Sequence, residues 1–141
     1  MNEDFYTYQR QRLGILLGWG GASVLVGGVL QCVPGLFWRQ VGLQCALWGA
    51  IDAVLAILGR RSARAKAGRA LAPADEQKDR RGFRRILLVN AWLDVGYVLC
   101  GAWLIWRLKQ HGIGAGILLQ GAWLLLFDSL LAREVKRRWW R

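Results

Sequence analysis

An all-α membrane protein with four transmembrane helices is the fold class this sequence predicts, and three features point to it. Four apolar stretches of about membrane-spanning length, Leu13–Val33, Gln40–Gly59, Ile86–Trp106 and Gly112–Ala132, fill most of the 141 residues. A helix needs roughly 20 such residues to cross a hydrocarbon core about 30 Å thick. The chain is 55% hydrophobic yet carries a net charge of +11, and the charge is segregated from the apolar stretches. Finally, Lys and Arg are distributed unequally between alternate connections, as the positive-inside rule requires of a multi-pass protein.

The charge count sets the orientation. Arg10 and Arg12 precede the first stretch, ten Lys and Arg lie between Arg60 and Arg85, and Arg133, Lys136, Arg137, Arg138 and Arg141 follow the fourth. The other two connections hold only Arg39, Arg107 and Lys109. One side therefore collects 17 basic residues and the other three, which predicts a bacterial inner-membrane protein with both termini and the middle loop in the cytoplasm. Such basic patches suit anionic headgroups, and nucleic-acid binding is not expected because no recognition motif accompanies the charge.

The chain reads as one membrane domain, residues 1–141, without a sizeable core outside the bilayer. No cleavable signal peptide is expected, since Met1-Asn2-Glu3-Asp4 is acidic and the first apolar stretch is long for a signal sequence. In the basic loop, residues 60–85, Ser62–Leu71 is expected to extend the second helix until Pro73, and Pro73-Ala74-Asp75-Glu76 reads as a helix start with acids at the positive end of the backbone dipole. The segment Asp79–Arg85 then leads into the third stretch, with Arg80, Arg81, Arg84 and Arg85 as candidate contacts for lipid headgroups or a cytoplasmic partner. Trp38 and Trp106 are expected at the outer interface, and Trp139 and Trp140 at the inner one.

The stretches pair as two hairpins. At an offset of 76 residues, Leu43, Gln44, Ala46, Asp52, Leu55 and Ala56 fall on Leu119, Gln120, Ala122, Asp128, Leu131 and Ala132. The first and third stretches match poorly, with Trp19 on Trp92 and Gly28 on Gly101. Each hairpin crosses twice, so the two copies are parallel and related by a pseudo-twofold axis along the membrane normal. The inverted repeat common in alternating-access carriers is absent.

Three aspartates interrupt the apolar stretches: Asp52, Asp94 and Asp128. All lie in the half nearer the basic side. Helical spacing puts Gln44, Trp48 and Asp52 on one face, Asn90, Asp94, Tyr97 and Gly101 on a second, and Gln120 and Asp128 on a third. These polar stripes are expected to face the bundle interior, because lipid exposure is costly. Two readings stand. The aspartates bond facing helices as interhelical glue, or Asp52 and Asp94, with Asn90, Gln44 and Gln120 as polar lining, form a proton or cation site. Asp128, five residues before Arg133, is expected to reach cytoplasmic arginine or water.

Gly14-Ile15-Leu16-Leu17-Gly18, continued by Ala22, forms a row of small residues suited to close helix packing. Cys32, Cys45 and Cys100 are an odd set read as small packing residues, although a Cys32–Cys45 bridge across the first hairpin is geometrically open. The lone His111, without a Cys or Glu cluster, predicts no metal site. No HExxH, GxSxG or phosphate-binding loop is present, so neither a cofactor nor an enzymatic reaction is expected.

The segments Trp48-Gly49-Ala50-Ile51-Asp52, Asn90-Ala91-Trp92-Leu93-Asp94-Val95-Gly96-Tyr97 and Gln120-Gly121-Ala122-Trp123, with Phe127-Asp128, resemble blocks of small uncharacterised four-span bacterial membrane proteins. That resemblance implies a four-helix membrane fold and no particular activity. The early-span glutamate expected of small multidrug exporters is missing, so export is not carried over. The expected role is a non-enzymatic interaction or accessory subunit, acting as a homo-oligomer or in a larger membrane complex. The alternative is a small proton or cation transporter or channel using the aspartates.

Overall fold

The fold is described from a computed structural model, which covers residues 4–69 and 72–140. Four helices account for nearly all of them: α1 Phe5–Gln31, α2 Leu36–Lys66, α3 Pro73–Trp106 and α4 His111–Trp139. Each is long and apolar enough to cross a membrane, and no strand occurs among the described residues.

Local chemistry explains the boundaries. The Asp4 carboxylate caps α1 by accepting from the Thr7 amide at 3.3 Å. Pro34 and Gly35 end the first hairpin helix, and Gly35 holds φ 109°, a region open to glycine and costly for residues with a Cβ. Pro73 occupies the first turn of α3, followed by Asp75 and Glu76. The expected extension of α2 runs to Lys66, while Ala70 and Leu71 at its predicted end lie outside the described residues. Met1, Asn2, Glu3 and Arg141 do so as well.

All four helices are longer than their apolar stretches, and most of the excess lies at one end of the bundle: residues 5–12, 60–66, 73–85 and 133–139. At 1.5 Å per residue, the first thirteen residues of α3 add about 20 Å. The molecule therefore has two storeys with opposite patterning. In the long apolar storey the large hydrophobic side chains point outward, with Leu25 73%, Trp92 77% and Trp106 78% exposed. Its interior is small or polar, including Gly20, Ser23, Gly27, Gly49, Asp52, Asp94, Gly101, Gln120 and Gly121. In the basic storey the order reverts to that of a water-soluble bundle. Phe5, Tyr6, Tyr8, Ala63, Phe83, Leu87, Leu131 and Val135 form one buried cluster there.

That second core joins the basic ends of the helices to the adjoining ends of the apolar stretches, from which Leu13, Leu87, Leu131 and Ala132 come. Trp139 packs against it, its ring standing edge-on to Phe5 (centroids 5.3 Å apart) and Tyr8 (4.9 Å). The amino-terminal aromatics supply the missing apolar area, and they were hidden in a segment too polar and too short to register as a helix of its own.

Small residues set the helix pairing. A Cβ on Gly20 would lie 2.6 Å from the Gly49 carbonyl oxygen, and one on Gly27 2.6 Å from that of Gly42, so α1 and α2 touch backbone to backbone. Gly101 and Gly114 do the same for α3 and α4. The hairpins meet where Gly116 packs on Gln44 and Gly112 on Gln40. The row Gly14, Gly18, Ala22 is not the contacting one: Gly18 has nothing within 4 Å and Gly14 faces Arg60. The contacting stripe is Gly20, Ser23 and Gly27, offset around the helix.

The positions matched at an offset of 76 have partly similar surroundings. Asp52 and Asp128 are both buried, as are Ala56 and Ala132, and Leu43 and Leu119 both face outward. Leu55 and Leu131 differ, 54% against 3% exposed, because Leu131 enters the basic-storey core. Trp92 and Gly28 do not share the packed settings of Trp19 and Gly101.

Candidate functional site: a buried acid cluster and its basic cap

The helix faces predicted from spacing converge. Asp52 on α2, Asp94 on α3 and Asp128 on α4 are 4%, 3% and 5% exposed, respectively, and the three carboxyl groups lie close enough to feel one another's charge. Asn90 faces Asp128 across the α3–α4 boundary. Tyr97, one turn beyond Asp94, meets Trp48 edge-to-face with ring centroids 4.7 Å apart. The expectation that Asp128 reaches arginine or water is overturned: it is buried, and no ion pair among the described residues includes it. Its five-residue distance from Arg133 is misleading because α4 continues as helix beyond that point, under the second core.

Gln120 belongs to a different network. Its carbonyl accepts from Trp19 Nε1 at 3.0 Å, and its amide donates to Ser23 Oγ at 3.4 Å. Trp19 also stacks on Trp123, with planes 4° apart and centroids 4.3 Å apart, and Trp123 stacks on Phe127. Gln120 thus ties α4 to α1, while Gln44 packs against Gly116 near the opposite end of α2. The seven-residue polar set divides into an acid cluster, a glutamine–tryptophan tie and Gln44 at the contact between the hairpins. Trp19 and Ser23 were missed as its partners. Their spacing of four, continued by Gly27, was the available signal.

The acid cluster differs from the tie in one respect. Gln120 uses both ends of its amide, whereas Asp52 Oδ2 and Asp94 Oδ2 are buried without a hydrogen-bond partner. An unpaired buried polar atom costs about 1–3 kcal/mol. No group of three or more His, Cys, Asp or Glu side chains among the described residues has the geometry to hold a metal ion. Cys32, Cys45 and Cys100 are all free, so the bridge left open by the spacing is not formed. His111 is exposed at the first turn of α4.

The basic storey closes the bundle above the acids. Asp79 accepts from Tyr6 Oη and from Lys66 Nζ, both at 2.7 Å, which joins α1, α2 and α3. The lysine bond, reinforced by the tyrosine, holds the Asp79 carboxyl below the usual carboxylate range. Burial, then the neighbouring Asp79, raises the Tyr6 phenol, and burial with Glu134 nearby pushes Tyr8 up to about 12. Arg12 pairs with Glu134 at 2.6 Å, joining α1 to α4. Of the four candidate headgroup arginines, Arg80 is engaged within the fold. It pairs with Glu76 and lies over the rings of Phe5 and Trp139. Arg81 and Arg85 are exposed, and Arg84 is half-buried.

The family model described as "Family of unknown function (DUF6992)" matches residues 15–129, including all three aspartates and the glutamine–tryptophan tie. The chain belongs to this family. No curated protein and no solved structure matches it. Within this DUF6992 chain the match ends before Arg133, so the last turns of α4 and the first turns of α1, which together build much of the second core, lie outside it.

Proposed function

We propose that this DUF6992 chain is a multi-pass bacterial inner-membrane protein, with both termini and the basic loop in the cytoplasm. Its two hairpins are arranged in parallel about a pseudo-twofold axis. It acts without catalysis, as an interaction or accessory subunit of a membrane assembly. The observation that carries this reading is the inverted patterning of the apolar storey. Large side chains cover the outside, and backbones touch through glycine inside, an arrangement that lipid favours and water penalises. The basic storey then offers a rigid cationic platform, cross-braced by Asp79 and Glu134, on the cytoplasmic side. Purification in mild detergent with mass measurement tests this reading. A complex with another subunit or with itself is expected, and a monomer alone at native expression would refute the accessory role.

A second reading is favoured by one observation, the unpartnered oxygens of Asp52 and Asp94. Simple interhelical glue would use them. In this reading the cluster binds and passes a proton or small cation. Liposomes loaded with a pH-sensitive dye test it: flux that disappears in Asp94→Asn, with the fold intact, supports transport, and no flux of protons or common cations rejects it.

A further inference from the structure

A groove runs between α3 and α4 at the junction of the two storeys, with a volume of about 400 Å³. Its lining is ordered along its length. On α3, Arg84, Leu88, Ala91, Trp92 and Val95 follow one another at helical spacing, and on α4 Leu125, Ser129, Arg133 and Lys136 run alongside in the opposite direction. Because the helices are antiparallel, all three cations gather at the basic end and the apolar residues at the other. From Arg84 to Val95 the trough extends about 16 Å at 1.5 Å per residue. No acidic side chain lines it. Arg84, Arg133 and Lys136 make no ion pair among the described residues, and Arg84 Nε is buried without a hydrogen-bond partner. Trp92, 77% exposed, forms one wall.

We propose that this groove binds one anionic phospholipid, its phosphate held by Arg84, Arg133 and Lys136 and an acyl chain lying along Leu88, Trp92 and Leu125. The inference rests on the bilayer placement proposed above. Charge complementarity selects an anionic group, and basic pockets between membrane helices on the cytoplasmic side suit lipid headgroups. The apolar trough continuous with the cations selects a lipid over a free phosphate, which would leave the trough unused. The site differs from a diffuse basic surface because Arg80 is engaged elsewhere and two of the three cations come from α4.

The test uses full-length protein, first shown to reside in the membrane fraction; failure there rejects the bilayer placement itself. Native mass spectrometry in non-ionic detergent then compares dioleoyl phosphatidylglycerol with dioleoyl phosphatidylcholine. A preference of at least about tenfold for the anionic lipid is expected. Combined Arg84→Gln, Arg133→Gln and Lys136→Gln should reduce it to less than about twofold. The charge-matched set Arg10→Gln, Arg61→Gln and Arg64→Gln, on a separate groove, should leave it unchanged. Ala91→Phe fills the trough without altering charge and should weaken binding even if the triple variant does not fold. The proposal is overturned if the wild-type protein shows no preference, or if the control set loses it equally. It is also overturned if inorganic phosphate competes as well as the lipid, or if Ala91→Phe abolishes a dimer that carried no lipid.

Discussion

Gln120 and Asp94 are both buried polar residues inside an apolar helix, yet the structure gives them opposite energetics. Gln120 is bonded at both ends, so Gln120→Leu leaves Trp19 and Ser23 unpartnered. A loss of about 1 kcal/mol is expected, in keeping with hydrogen bonds between membrane helices. It should appear as a lower midpoint in thermal unfolding in detergent. Trp19 fluorescence should also change, because the ring loses its acceptor while still stacked on Trp123. Asp52→Asn and Asp94→Asn remove carboxylates that each have an unpartnered oxygen. Both are expected to leave stability within about 0.5 kcal/mol of the parent or to raise it. A clear destabilisation by either would mean that the carboxyl makes a bond the structure lacks. Near-neutral or stabilising outcomes would fit the proposed transport reading, in which these carboxyls bind a proton or cation instead of joining helices.

At the level of elements, helix pairing depends on backbone contact. Gly49→Val and Gly101→Val drive new atoms into carbonyls less than 3 Å away and should each destabilise the bundle by about 1–3 kcal/mol or more. Gly21→Val, with nothing within 4 Å, is the matched control and should be nearly neutral. Midpoints of thermal unfolding in one detergent compare all three. The anchoring of α1 is pH-dependent through Asp79. Its folded carboxyl titrates below the unfolded value, so its contribution is complete above about pH 4 and is lost as pH falls through the lower, folded value. Asp79→Asn should reproduce that loss at neutral pH, about 1 kcal/mol given the partial exposure of the pair. The measured effect should vanish in strong acid. Helix existence, the Pro73 start and the three inward aspartates were legible in the sequence, because apolar length and four-residue spacing are local properties. The second core was not. Phe5, Tyr6 and Tyr8 are separated by more than 70 residues from Phe83 and by more than 120 from Val135 and Trp139. Only the return of all four helix ends to one place brings them together. The choice of Gly20 and Gly27 over Gly14 and Gly18 was hidden for a related reason. Several glycine rows fit helical spacing, and the crossing geometry selects one.

On the scale of the whole molecule, the two storeys imply two solvents. The lower one buries glycine and displays leucine, and the upper one buries aromatics and displays arginine. With about 25 cal/mol for each Å² of apolar surface, the lower storey would carry a heavy hydration penalty in water, whereas a bilayer removes it. The proposed placement puts the basic storey outside the hydrocarbon, and by the positive-inside rule the 17 Lys and Arg of the two termini and the middle loop put that side in the cytoplasm. Paired reporter fusions, one active only in the cytoplasm and one only outside it, test this most directly. They are placed after Arg141, in the connection following Gly68, and in the short turns at Gly35 and Lys109. Cytoplasmic signal from the first two and external signal from both turns is the expected result. Opposite locations for Arg141 and Gly68, or a protein that is monodisperse in buffer without detergent, would contradict it.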